Sequence, residues 1–283
     1  MKIMLVGDTH GNFRTIKQAI DLAKQIGDIA RIIVLGDFGL WWRHEALQYI
    51  DDINTYAKAN NVQVFAIPGN HENHEWWQSI VEHGPATAHG WAYVGTHVLL
   101  SPKVHDFVWG GKQFVVAGGA VSIDRDYREE YRRQTGKRIW SPDEQLTDKQ
   151  IDELLATRLG HGVPVDYLLT HDCSNRTPFH TRLKPDIQSQ IHRQRIDRVI
   201  DGIKPRMHFH GHMHTRYAWE NLIHADGDMR WVETYGLEAD GDKWAFGVLD
   251  LDTDKFEWAA DIIREREIVA NAKLEPVELD DNF

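Results

Sequence analysis

Three short apolar runs punctuate the first seventy residues, and each closes on a glycine or proline–glycine turn that carries oxygen and nitrogen donors. Lys2 to Val6 leads into Gly7-Asp8-Thr9-His10-Gly11-Asn12, Arg31 to Leu35 into Gly36-Asp37-Phe38-Gly39, and Val62 to Ile67 into Pro68-Gly69-Asn70-His71-Glu72. Runs of this length bounded by turn signals read as buried strands. Between them lie helix-like segments, roughly Phe13 to Ile26 with Ile16, Ala19, Ile20 and Ala23 on one face, and about Glu45 to Ala59. This β-α-β-α-β rhythm predicts a largely parallel sheet with helical crossovers. In such a sheet the residues that follow successive strands gather at one edge, which brings Asp8, His10, Asp37, Asn70 and His71 into one neighbourhood.

Two later junctions repeat the pattern. Val165 to Thr170 reads as a strand ending at His171, and Met207 to Phe209 leads into His210-Gly211-His212-Met213-His214. In all, five strand ends each offer one or two donors; reading them as unrelated loop residues and helix caps leaves that coincidence unexplained. Elsewhere, Trp91 to Gly119 carries short alternating runs with a hairpin expected at Gly110-Gly111. Ser122 to Trp140 is a charged excursion without clear periodicity, and Ser141-Pro142 reads as the cap and first residue of a helix. Ile187 to Ile203 reads as helical, and the remainder to about Ala260 alternates as antiparallel strands. No repeat or low-complexity linker divides the chain, so one domain over 1–270 is expected, with an acidic, solvated tail over 271–283.

Taken in order, Gly7-Asp8-Thr9-His10, Gly36-Asp37, Gly69-Asn70-His71-Glu72, His171 and Gly211-His212-Met213-His214 resemble the five signature blocks of the calcineurin-like metallophosphoesterases, over residues 7 to 214. The resemblance implies an α/β fold, a four-layer α/β/β/α sandwich of two mixed β-sheets flanked by helices. It also implies two divalent metal ions. Asp8, His10, Asp37 and His214 would hold one; Asp37 would bridge to a second, held also by Asn70, His171 and His212. Imidazole and oxygen donors without a thiolate suit Mn, Fe or Zn, and Mg less well. Two cations about 3.5–4 Å apart can share a water and lower its pKa, so a bridging hydroxide is the expected nucleophile. His71 is the general acid that the resemblance implies, with Glu72 or a nearby carboxylate orienting it. One departure is plain. Many members continue the second block as Gly-Asp-x-x-Asp, and position 40 here is Leu40. This argues against the protein phosphatase and DNA-repair nuclease branches; Gly-Asp-Phe-Gly-Leu-Trp-Trp is closer to small bacterial and phage-type members.

Charge narrows the substrate. With 43 Asp and Glu against 32 Lys and Arg, the chain carries a net charge of −11, which does not favour a polymeric phosphate backbone. A small nucleotide-like phosphodiester or phosphomonoester held by local cations is therefore the favoured partner. A nuclease acting on DNA or RNA is the alternative, using Arg125, Arg128, Arg132, Arg133, Lys137 and Arg138, although Asp126, Glu129 and Glu130 interrupt that stretch. A non-catalytic, metal-stabilised interaction module is another; such relatives tend to lose ligands or the candidate acid, which this chain keeps. Gly118-Gly119-Ala120-Val121-Ser122, followed by Asp124, Arg125 and Arg128, is the candidate substrate-recognition element.

The pairs Trp41-Trp42 and Trp76-Trp77 are expected to pack helix starts against the sheet, with a stacking wall for a nucleobase as the competing role. His210 is expected to be a packed histidine rather than a ligand. His44, His74, His83, His89, His97 and His105 carry no partner signal, so a surface position is expected for each. Cys173 follows His171 closely, but cysteine-phosphatase chemistry needs Arg six positions on, where Phe179 stands. A lone cysteine forms no internal disulfide, the apolar stretch before Gly7 is too short for a signal segment, and no apolar run nears the ~20 residues of a membrane span. A cytoplasmic location without membrane contact is expected; the oligomeric state is open.

Overall fold

The structure is a computed structural model and describes residues 1–41, 45–177, 186–225 and 228–272. The opening rhythm is as expected: β1 (Lys2–Val6), α1 (Phe13–Ile26), β2 (Ile29–Val34), α2 (Glu45–Asn60), β3 (Gln63–Ala66) and α3 (His74–His83). Then come β4 (Ala92–Tyr93), β5 (Val98–Leu100), β6 (Val104–Trp109), β7 (Lys112–Ala117), α4 (Arg125–Thr135), α5 (Asp148–His161), β8 (Tyr167–Thr170) and α6 (Ile187–Ile203). The chain finishes with β9 (Met207–His210), β10 (Tyr217–Ala225), β11 (Asp228–Gly236), β12 (Phe246–Asp250), β13 (Lys255–Trp258) and α7 (Ala259–Ala272).

The strands form two mixed sheets, β13-β12-β1-β2-β3-β5-β4 and β10-β11-β9-β8-β7-β6. Strand alternation builds the layers, because successive side chains point to opposite faces. Met4 and Val6 of β1 pack with Ile32 and Val34 of β2 against Ile16, Ala19, Ile20 and Ala23 of α1. Their neighbours Ile3, Leu5 and Ile33 face the other way and meet Phe114, Val116, Tyr167, Leu169 and Phe209 of the second sheet. The outer face of that sheet carries Val115, Ala117 and Leu168, which α5 and α6 cover with Ile151, Leu154, Ile196, Val199 and Ile200. The result is the four-layer α/β/β/α sandwich.

The parallel strands fix the geometry of the edge. β1, β2 and β3 run parallel in one sheet, and β8 and β9 run parallel in the other. All five donor-bearing junctions follow one of these strands.

Several expectations need correction. The charged excursion holds a helix, α4, with Gly136 closing it in a left-handed conformation at φ 71°. Ser141-Pro142 opens only a 3₁₀ turn, Pro142–Glu144, because Gln145 is extended; α5 begins at Asp148 behind a Thr147–Gln150 capping box. The C-terminal stretch is not uniformly antiparallel, since β11 pairs parallel with β9. β12 and β13 leave that sheet to extend the first one through β1. A helix the alternation does not announce, α7, follows from Ala259 and runs past residue 270, into the expected tail. The rest of that tail, 273–283, lies outside the described residues, as do Trp42, His44 and Phe179. Among the described residues no helix is long and apolar enough to cross a membrane.

Candidate metal centre

The edge where the two sheets' parallel strands end is crowded with acceptors. Asp8, after β1, accepts the His212 amide on Oδ1 at 2.7 Å and faces His214 Nε2 with Oδ2 at 3.0 Å. The last junction is thereby tied onto the first. Asp37, after β2, lies at the centre. Its Oδ1 accepts the His71 amide at 2.9 Å and lies 3.4 Å from His171 Nε2. Its Oδ2 lies 3.6 Å from His10 Nε2 and 3.7 Å from His71 Nε2. Donor atoms of Asp8, His10 and His214, and of Asp8, Asp37 and His171, lie within 4.8 Å of one another. His212 joins through its ring, whose centre is 4.9 Å from that of His171. All seven residues named as candidate ligands thus come together, with His71 beside them.

Backbone strain marks the same residues. Of eight non-glycine residues with positive φ among those described, four are His10 (46°), Asp37 (46°), His212 (62°) and His214 (45°). Each costs about 1–3 kcal/mol and persists only where the surroundings impose it. The glycines of the blocks serve close approach. A Cβ on Gly36 would lie 2.2 Å from His171 Nδ1, and one on Gly211 would lie 2.2 Å from Asp8 Oδ1.

Tautomers follow from the outer partners. His171 Nδ1 is 2.7 Å from the Leu35 carbonyl and so donates its proton there. In the neutral ring Nε2 then points a lone pair at Asp37 Oδ1 and at Asn70 Oδ1, 3.0 Å away. Acceptors so placed need either a proton on Nε2 or a cation between them. Burial opposes charge on His171, yet Asp37 and Asp8 outweigh it and raise its pKa to about 10. Burial likewise works to raise the Asp37 carboxyl, but His71 and His171 hold it well below the usual range. His10 repeats the arrangement: Nδ1 meets Asp240 Oδ1 at 2.8 Å, leaving Nε2 for the centre. A carboxylate behind a ligating imidazole is the usual outer support of a metal site. The donor set therefore fits divalent cations held by nitrogen and oxygen.

Asp240 and Glu144 escape the sequence, and Ser122, expected in the substrate-recognition element, supports Asn70 instead. Asp240 lies in a loop after β11, with no strand end or motif to flag it. Ser122 Oγ accepts from Asn70 Nδ2 at 2.9 Å and donates to Glu144 Oε2 at 2.6 Å, while the Ser122 amide donates to Glu144 Oε1. This relay turns the Asn70 carbonyl oxygen toward His171. Glu72, expected behind His71, does something else. Its carboxylate accepts the amides of Phe38, Gly39 and Leu40, clamping the loop that carries Asp37.

A cavity of ≈ 940 Å³ opens on His10 and His71 and is walled by Trp41 and by Tyr127, Arg128 and Tyr131 of α4. Arg125, expected at the substrate with Arg128, instead pairs with Asp186. Trp76 and Trp77 pack into the core, so of the described tryptophans in the two pairs only Trp41 reaches the cavity. His210 is buried and bonded to Gly211 and Tyr217, as expected of a packed histidine. His74 is not a surface residue: it is buried, which lowers its pKa to about 3. His105 is also largely enclosed, its ring edge-on to Trp91. Cys173 is buried, and burial pushes its thiol up, away from nucleophilic use.

The profile of the calcineurin-like phosphoesterase family matches residues 1–216. Among curated proteins no sequence relative matches. TT1561 of Thermus thermophilus shares the fold at a TM-score of 0.51 and 12% identity, over 90% of this chain and 96% of that one. A 5'-nucleotidase precursor from Thermus thermophilus aligns at a TM-score of 0.47 and 10% identity, over 98% of this chain and 60% of its own. The ordered blocks, the two-sheet sandwich and the profile agree, and this chain belongs to the calcineurin-like phosphoesterase family.

Proposed function

We propose that this chain is a dinuclear-metal phosphoesterase acting on a small phosphodiester or phosphomonoester, with nucleotide-like esters favoured. The observation that carries the reading is the cluster around Asp37: His171 and His10 bring Nε2 to 3.4 and 3.6 Å from its two carboxylate oxygens, and Asn70 Oδ1 lies 3.0 Å from His171 Nε2, a nitrogen and oxygen set that cations would bridge. Asp8, His10, Asp37 and His214 would hold one ion; Asp37, Asn70, His171 and His212 the other. Mn, Fe or Zn suits these donors better than Mg. When bound, such ions supply positive charge for the phosphate oxygens and acidify water enough to make it a nucleophile at neutral pH.

The chain's own groups do the rest. Asp37, placed between both sets of donors, holds them in one geometry. His71 stands at the mouth of the cavity with Nε2 3.7 Å from Asp37 Oδ2. Burial lowers its pKa, and the Asp37 charge opposes this by favouring the protonated ring, the form that would pass its proton to the leaving oxygen. The retention of every candidate donor and of His71 favours turnover over a silent interaction module. Against the nuclease reading, five of the six cations it relies on, Arg125, Arg128, Arg132, Arg133 and Arg138, are each ion-paired, Lys137 being the sixth.

The test is hydrolysis of bis(4-nitrophenyl) phosphate, a diester, and 4-nitrophenyl phosphate, a monoester, by protein reconstituted with Mn, Fe, Zn or Mg. Turnover is expected, and none with any of the four would overturn the reading. His71→Gln is expected to retain metal while losing about 10²–10⁴ in kcat, most severely for esters with poor leaving groups. Loss of metal in that variant would make His71 a ligand instead.

A further inference from the structure

Helix α4 turns one face to the cavity. Asp124, its N-cap, together with Tyr127, Arg128 and Tyr131, follows the i, i+3, i+4, i+7 spacing of a single helical face, and all four line the cavity that opens on His10 and His71. No residue of α4 is buried, so core packing does not account for two tyrosines there; Tyr127 is 67% exposed. Trp41 lines the same cavity, and its indole N–H is closed off from solvent without a partner among the described residues.

The cations along this wall differ in their commitments. Arg128 gives Nε to Asp124 at 2.8 Å and Nη1 to the Ile139 carbonyl at 3.1 Å. Arg138 pairs with Glu75. Lys137 also lines the cavity, and its ammonium has no partner among the described residues.

We propose that this wall selects the substrate: an ester bearing a planar aromatic ring, held by Tyr127, Tyr131 and Trp41, and a second anionic group met by Lys137. That is the chemistry of a nucleotide with more than one phosphate. The proposal rests on the phosphoesterase reading, because the cavity opens on the same centre. Aromatic side chains grip any base by its face without reading its sequence. The cavity volume, ≈ 940 Å³, suits a ligand of nucleotide size.

Two hydrolysis-resistant probes separate the parts: adenosine 5'-(α,β-methylene)diphosphate, and methylenediphosphonate, which keeps the anions without the ring. Each is titrated calorimetrically into full-length, Mn-loaded protein. The wild type is expected to bind the adenosine probe at least about tenfold tighter, the scale of one aromatic stack. Tyr127→Ala is expected to remove most of that preference, and Lys137→Glu to weaken both probes about tenfold. Both side chains are exposed, and circular dichroism checks that the variants fold. Equal wild-type affinity for the two probes, or a preference that survives Tyr127→Ala combined with Tyr131→Ala, overturns the ring contact. Unchanged affinities in Lys137→Glu overturn the anion contact. Failure of the phosphoesterase reading shows separately, as no turnover of either bis(4-nitrophenyl) phosphate or 4-nitrophenyl phosphate by the wild type.

Discussion

Asp240 illustrates how much of the candidate centre depends on residues placed behind the donors. Its Oδ1 fixes the His10 tautomer, and its Oδ2 accepts from Asn12 Nδ2 at 3.0 Å, the residue that caps α1. Losing such a partner typically costs 10–100-fold in metal affinity. Asp240→Ala is expected to weaken metal binding by about that factor, measured by competition with a chromophoric chelator; an unchanged affinity would make Asp240 a bystander. The seven candidate donors differ. Asp8, His10, Asp37, Asn70, His171, His212 and His214 are legible because each follows an apolar run, and strand ends of parallel sheets converge. Asp240 is 230 residues from His10 in sequence and follows no such signal. Glu72 misleads for the opposite reason: adjacency to His71 suggests a partnership, whereas its carboxylate reaches back to the Asp37 loop.

At the scale of elements, strands and helices with a single apolar face are readable, and those without one are not. α1 shows its stripe of Ile16, Ala19, Ile20 and Ala23 and falls where expected. α4 carries the same spacing in Asp124, Tyr127, Arg128 and Tyr131, but a stripe facing a cavity is polar and aromatic, so hydrophobic periodicity misses it. The destination of β12 is illegible as well, because its pairing with β1 joins opposite ends of the chain. The short turn Pro142–Glu144 supports the centre through Glu144. Burial pushes that carboxyl up to about 7, from 4.5 in the unfolded chain. Between those values the folded state keeps a proton that the unfolded state has released, so stability falls as pH rises through the window. Glu144→Gln removes this titration. Its urea midpoint is expected to fall less than that of the wild type from pH 4.5 to 7.5, and parallel profiles would contradict the assignment.

For the whole molecule, the sandwich works as a frame that brings two sheet edges together. One sheet supplies Asp8, His10, Asp37, Asn70 and His71, and the other supplies His171, His212 and His214; packing between the inner faces fixes their distance. Protein interiors are dense and do not deform continuously, so a layered core of this kind suits a centre whose parts come from both sheets. The net charge of −11 surrounds a small cavity with local cations, an arrangement that fits a compact phosphorylated ligand rather than a polymer. The most direct test of the central claim is elemental analysis of the purified chain after reconstitution with Mn and extensive dialysis. Two equivalents per chain are expected in the wild type, falling below one in Asp37→Ala with the fold intact. Retention of no metal by the wild type, or an undiminished pair in Asp37→Ala, would contradict the account.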